Sequence, residues 1–331
     1  MVQIELLLGL LRISFLNTRE KVCLAKKLDN IQSLAVLSIE DISLIIKRNI
    51  RTKSWNGKKL LELVNDDLNI IEKYGTSVTF IGNPEFPPLL HELPDPPFGI
   101  FWRGTLPDPE RPLVAIVGTR TPTGDGSLAA AKLGQEFAGA GIGVVSGLAR
   151  GIDAFAHRGT LDGGGTTIAV LACGVEQIYP RSNALLASRI INNGGCILSE
   201  YAPGEEPLKF RFPQRNRLIS GLARTVIVVE APEKSGALIT ADFALEQGRD
   251  LAVYRGTLDS SRGAGVRRLY KEGAQVIASA MDILDDWGYP CKKSVTSLDS
   301  INQSFSRSVA VAQQLAFEFK TESIQWESKD R

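Results

Sequence analysis

Four cations and two aromatic rings fall within nine residues, Lys209-Phe210-Arg211-Phe212-Pro213-Gln214-Arg215-Asn216-Arg217, and no acid interrupts them. Cations neutralise phosphates and flat rings stack on unpaired bases, so this composition suits a single-stranded nucleic acid. It equally suits a solvated basic loop whose Phe side chains turn inward, and the stretch alone leaves both readings open. The whole chain carries a formal net charge of +1, so any polyanion site must be local.

Four further segments have the composition of anion-binding loops. They are Gly118-Thr119-Arg120, the run from Ser146 to Asp153, Tyr179-Pro180-Arg181-Ser182-Asn183, and the run from Glu230 to Thr240. Loops of this kind open helices, where free N–H groups and the helix dipole hold anions and Gly permits close approach. Arg120, Arg150, Arg181 and Lys234 add charge to them. One such loop is an ordinary α/β turn; four along one sheet edge describe an extended anion track.

Several chemistries are disfavoured. GxGxxG, GxxxxGK[ST] and GxSxG are all missing, so neither dinucleotide binding, ATP hydrolysis nor a nucleophile elbow is indicated. Cys23, Cys173, Cys196 and Cys291 form no CxxC pair, and His91 and His157 are the only histidines, which argues against a zinc site. His157 reads as a hydrogen-bonded structural residue. Asp153, Glu230, Asp242 and Glu246 read as helix caps or partners that orient arginines. With no nucleophile–base pair in view, a binding protein is expected, with no catalytic residue, cofactor or metal.

These residues need elements to position them. Apolar spacing predicts a helical opening module, through Ile4-Leu7-Leu8-Leu11 and Leu60-Leu61-Val64-Leu68-Ile71. A Pro-rich joint around Asn83–Pro88 and Pro94–Pro97 follows, then a strand over Phe98–Gly104 at the edge of the next domain. Strand-length apolar runs then alternate with helical segments: Val114–Val117, Gly143–Ser146, Thr167–Leu171, Cys196–Leu198, Val226–Val229 and Leu251–Val253. That alternation predicts a doubly wound, Rossmann-like, mostly parallel sheet covered on both faces. The boundaries are a helical module over 1–78, the α/β domain over 79–286 and a polar tail over 287–331, with one helix at Ser306–Phe319. Met1–Leu16 lacks the features of a signal peptide, and no uncharged run reaches the ~20 residues a membrane span needs. Cysteine usage fits a reducing cytoplasm.

The motifs, in order, resemble the DNA-processing protein A (DprA/Smf) family. They stand as Ile116-Val117-Gly118-Thr119-Arg120, Ser146 to Ala154 with His157-Arg158-Gly159, Tyr179-Pro180, Ser199-Glu200, Phe212 to Leu222, Val229-Glu230-Ala231, Ser235 to Ala241 and Ala244 to Arg249. The resemblance spans roughly Phe80 to Ile283 and implies a SAM-like opening module. It implies a homodimer that binds single-stranded DNA, protects it and loads the RecA recombinase in natural transformation, with single-strand-binding protein as a further partner. Carried over, the DNA-binding set is Gly118, Arg120, Gly147, Arg150, Arg181, Asn183, Phe212, Arg215, Asn216, Arg217, Ser235, Gly236 and Thr240. Phe212 is the stacking ring, and Phe210, outside the motif, is expected to pack. Thr119 replaces a usual Ser, Asp125 a frequent Tyr and Tyr254-Arg255-Gly256 a Val-Pro-Gly turn, and the tail shows no winged helix. The alternative is a phosphoribohydrolase of the lysine-decarboxylase-like group, whose PGGxGTxxE signature is not matched by Glu230 to Thr240.

Overall fold

The computed structural model describes residues 4–52 and 55–289. The tail from 290 onward, with the helix expected at Ser306–Phe319, lies outside the described residues.

The chain opens with α1 (Ile4–Arg12), α2 (Thr18–Ala25), α3 (Ile31–Ala35), α4 (Ile39–Ile46) and α5 (Gly57–Tyr74). Asn17, Asn30, Ser38 and Asn56 cap α2 to α5, each accepting from the backbone N–H three residues on. Each such cap satisfies an otherwise orphaned donor and contributes about 1 kcal/mol. Helix α1 buries more than the predicted stripe: Leu6, Leu8 and Leu10 are all fully buried, while Ile4 is exposed. A helix apolar on most sides belongs inside, and α1 shares one continuous core with a face of the sheet. Arg12 anchors it there, donating to Asp67 of α5 at 2.9 Å, to Glu205 at 2.6 Å and to the Pro203 carbonyl at 2.7 Å.

The remaining elements are β1 (Ser77–Phe80), α6 (Pro88–His91), β2 (Gly99–Gly104), β3 (Leu113–Val117), α7 (Gly124–Gly139), β4 (Gly143–Ser146) and α8 (Ile152–Asp162). They continue with β5 (Thr167–Val170), α9 (Ala184–Asn192), β6 (Cys196–Ser199), α10 (Arg211–Gly221), β7 (Thr225–Val228) and α11 (Gly236–Glu246). Last come β8 (Asp250–Tyr254), α12 (Ala264–Lys271), β9 (Gln275–Ile277) and α13 (Ala280–Asp286). The strands form one sheet in the order β1-β2-β6-β5-β4-β3-β7-β8-β9. From β6 to β9 every pairing is parallel, whereas β1 and β2 are antiparallel. This is the doubly wound sheet the apolar runs predict. Its order runs outward both ways from β3, so β3 and β7 flank the topological switch point, where crossovers leave a crevice beyond the carboxyl ends.

Two strands escaped the sequence reading. Strand β1 pairs outside β2, so Gly99–Gly104 is the second strand of the sheet rather than its edge. Strand β9 is three residues long, too short for a periodicity signal. The basic stretch is also corrected: from Arg211 it is the helix α10, not a loop. Pro213 falls in the first helical turn, where its missing N–H removes no intrahelical bond.

Helices α7 and α8 pack backbone to backbone. A Cβ added at Gly159 would overlap the Ala131 carbonyl, and one at Gly134 would lie 2.6 Å from the Ala156 oxygen. Gly159→Ala should therefore destabilise the fold by about 2 kcal/mol through overpacking. Urea denaturation checks this; an unchanged midpoint would mean that the helices can separate at little cost.

Candidate nucleic-acid interface

A cleft of about 590 Å³ opens at the carboxyl ends of β3 and β7. One wall is the Gly118–Arg120 loop, the opposite wall runs from Lys234 to Thr240, and α10 supplies Phe212, Pro213, Arg215, Asn216 and Ile219. Tyr179 and Lys209 complete the rim. Arg120, Lys209 and Lys234 are exposed cations there. Among the described residues that line the cleft, Asp153 is the one acid, and it is buried.

The rim carries an aromatic platform. The Phe212 ring lies 5.4 Å from that of Tyr179, and the Arg120 guanidinium sits 5.6 Å from the Phe212 centroid. Such a cation–π contact holds Arg120 over the ring while leaving its N–H groups to donate to a phosphate. Helix α11 opens onto the same space. Ser235 is its N-cap, accepting from Ala237 N–H at 3.3 Å, and Gly236 is exposed at its first position. The positive end of the helix dipole thus faces the cleft.

Beneath the rim lies a buried cation. Arg215 is only 4% exposed; it donates to the Gly147 carbonyl at 2.9 Å and to the Val170 carbonyl at the end of β5. The Gly147 peptide bridges it to Asp153, which accepts from Gly147 N–H at 3.1 Å and Ala149 N–H at 3.3 Å. Burial pushes the Arg215 guanidinium down to about 10, against Asp153 and helped by Arg120, so it stays protonated near neutrality. Burial likewise pushes the Asp153 carboxyl up, against Arg215 and the two N–H groups. A Cβ at Gly147 would lie 2.6 Å from the guanidinium, so only Gly fits there.

The expected DNA-binding residues therefore divide. Gly118, Arg120, Phe212, Ser235, Gly236 and Thr240 are brought together around the cleft, with Thr240 in its wall. Arg215 and Asn216 also line it, but their polar groups engage protein. Asn216 donates to the Gly236 carbonyl at 3.1 Å, which ties α10 to the start of α11. Gly147 uses both its N–H and its carbonyl internally, and so is a hinge of the scaffold rather than a phosphate donor. Asn183 is buried and donates to the Leu148 carbonyl at 2.9 Å, holding Leu148 at a φ of 55° that a branched side chain resists. Arg217 turns away from the cleft and pairs with Glu200. Arg150 and Arg181 are exposed on neighbouring loops outside the lining residues. For Arg215, Asn216, Asn183 and Arg217 a distant partner that no spacing reveals sets the role. Tyr179 and Lys209 line the cleft as well, although neither is in the DNA-binding set that the resemblance implies. Their signals were an aromatic beside Pro180 and a cation three residues before Phe212.

Glu230 is neither a helix cap nor an arginine partner; it holds Thr123, the residue that caps α7. It is fully buried and accepts from both Thr123 N–H and Thr123 Oγ1 at 2.8 Å, fixing the start of α7 beside the Gly118–Arg120 loop. Asp125 is exposed in the first turn of α7, outside the cleft. Burial pushes the Cys173 and Cys196 thiols up to about 12, so neither is a nucleophile at neutral pH. Among the described residues no cluster of His, Cys, Asp or Glu could hold a metal, and no helix is long and apolar enough to cross a membrane.

Fold and cleft together define a Rossmann-like protein with a cationic, aromatic-rimmed groove at its switch point. The chain belongs to the DNA recombination-mediator protein A family, whose sequence model matches residues 77–288. The DNA processing protein DprA of Streptococcus pneumoniae is 42% identical over 200 residues, covering 60% of this chain and 70% of that protein. The protein Smf of Escherichia coli is 32% identical over 286 residues, covering 86% and 75%. The X-ray structure of DprA from Streptococcus pneumoniae matches with a TM-score of 0.68 at 33% identity, over 86% of this chain and 98% of that one. The structure of DNA processing protein A from Helicobacter pylori, reported for its single-stranded DNA binding mode, matches with a TM-score of 0.58 at 31% identity, over 65% and 96%.

His157 lies fully buried below this network. Thr167 Oγ1 donates to the Val144 carbonyl at 2.7 Å, so its lone pair accepts from His157 Nδ1–H, also at 2.7 Å. Burial first, and Arg215 second, push the imidazole down to about 3. The folded state therefore refuses a proton that the unfolded chain takes up near 6.5, and this contribution to stability is lost as pH falls from 6.5 toward 3. His157 alone should lower the unfolding free energy by at most about 1.4 kcal/mol per pH unit in that window, so the fall should be shallower in His157→Gln. Urea denaturation at several pH values between 7.5 and 5 measures it. Identical slopes in the two proteins would place the titration elsewhere.

Proposed function

We propose that this protein binds single-stranded DNA in the cleft between the ends of β3 and β7, with phosphates on Arg120, Lys209, Lys234 and the N-terminus of α11. One unpaired base stacks against Phe212 and Tyr179. The observation that carries the reading is the Arg120–Phe212–Tyr179 assembly, with 5.6 and 5.4 Å between neighbours, on a rim where cations outnumber acids. The single-stranded DNA binding mode reported for the Helicobacter pylori relative supports it. The role is recognition without catalysis. The protein would protect incoming strands in the cytoplasm during natural transformation and load a RecA recombinase onto them. It would work as a homodimer on DNA also coated by single-strand-binding protein. In this reading residues 1–78 are an accessory helical domain, 79–286 bind DNA and 287–331 form a polar tail.

Fluorescence anisotropy with a labelled oligothymidylate tests the binding. Affinity should fall linearly with salt on logarithmic axes and depend little on base sequence. Arg120→Ala should weaken binding and reduce the salt slope by about 0.7, the contribution of one phosphate contact to a single strand. The variant should keep its unfolding midpoint, because Arg120 is exposed. No binding by the wild type at low salt would sink the proposal.

A further inference from the structure

Helix α10 separates two clefts. The second has a volume of about 730 Å³ and lies between α1, α2, the Pro96–Gly99 segment, the turn after β6 and the other side of α10. Helical spacing divides the residues of α10: Phe212, Arg215, Asn216 and Ile219 face the first cleft, whereas Arg211, Gln214 and Arg217 face the second. The division extends into the preceding turn, where Lys209 lines the first cleft and Phe210 the second. A strand seated on Lys209 and Phe212 thus needs only to pass over the first turn of one helix, ~10 Å across with its side chains, to reach the second cleft.

The chemistry of the second cleft differs from that of the first. Its arginines already have carboxylate partners: Arg12 with Glu205, Arg48 with Glu20, Arg211 with Glu205 and Arg217 with Glu200. Little surplus charge remains to hold phosphate. Aromatic surface and mixed donors and acceptors remain. Phe210 keeps 60% of its surface in solvent, unusual for a Phe, although sequence assigns it to packing. Arg211 steadies it, with its guanidinium 5.8 Å from the Phe210 centroid and 4.8 Å from that of Tyr201. Lys21 supplies a half-sequestered amine, donating to the Leu11 carbonyl at 3.1 Å and lying 5.8 Å from the Phe98 centroid. Aromatic faces beside paired donors and acceptors match an unpaired base, whose π-face stacks and whose edge takes hydrogen bonds.

We propose that the second cleft is an extension subsite for the same strand: it accepts an unpaired nucleobase stacked on Phe210, beyond the nucleotides held in the first cleft. The proposal rests on the single-stranded DNA reading above. It predicts a length dependence that a single cleft does not produce.

The test is anisotropy on oligothymidylates from about 4 to about 16 nucleotides, the range of one compact single-strand site, with wild type, Phe210→Ala and Phe210→Trp. On the shortest strands Phe210→Ala should match the wild type within about twofold. On the longest it should bind on the order of tenfold more weakly, the loss of one stacked base, with an unchanged salt slope. Phe210→Trp should restore affinity. Thermal melts confirm that the exposed substitution leaves the fold alone. If Phe210→Ala binds every length as the wild type does, the subsite is refuted while the first cleft stands. Equal loss at every length also refutes it, by placing Phe210 in the first cleft. If the wild type binds no strand at all, the functional reading itself fails.

Discussion

The guanidinium of Arg215 is buried where three elements converge. It comes from α10, reaches the carbonyls of Gly147 and Val170 beyond β4 and at the end of β5, and faces Asp153 on α8 across the Gly147 peptide. Taking a cation out of water is costly, and the guanidinium is kept charged by carbonyl dipoles and one carboxylate. Removing either charge would leave the other buried without its opposite charge, held only by backbone dipoles. The cost has a structural return. The loop after β4, the end of β5 and helix α10 are fixed relative to each other, and the cleft lies directly above them. Phe212 and Asn216 flank Arg215 on the same helix, so the Phe212 ring and the link to α11 inherit its position.

Placing α10 as a wall rather than as a ligand explains the division of its charges. A single helix carries a buried structural cation, an ion pair with Glu200 on its far side and, just before it, the exposed Lys209. Only the last is available to a phosphate. The solvent-accessible positive charge of the cleft therefore comes from its edges, Arg120, Lys209 and Lys234, and from the dipole of α11. Glu230 plays the matching role on the opposite wall, where its carboxylate ties Thr123 and Ser260 together and sets the loop that presents Arg120.

The parallel sheet was legible because its strands are buried on both faces and read as unbroken apolar runs, such as Val114 to Val117. Gly118, Arg120, Phe212 and Ser235 were legible as parts of ordered motifs that converge at one sheet edge. What sequence could not supply was partnership. Arg215 and Arg217 are the same residue type two positions apart, yet one is pinned under the cleft and the other is paired with Glu200 on the far side. Nothing local distinguishes them; helical phase and the residues across the fold do. Helix α10 itself was hidden because Pro213 looks like a loop marker unless it falls in a first turn. Strand β1, Ser77-Val78-Thr79-Phe80, is buried only toward its end and so lacks the unbroken apolar run that marks the equally short central strands.

The central claim is that Arg215 shapes the cleft without touching DNA. The salt dependence of oligothymidylate binding by Arg215→Gln, in protein whose circular dichroism remains native, tests it most directly. Gln removes the charge that a phosphate contact would count, along with the planar fork that holds two carbonyls. The account predicts weaker binding with the same slope of log affinity against log salt as the wild type. A slope shallower by about 0.7 would mean that a phosphate contact had changed, and would contradict it.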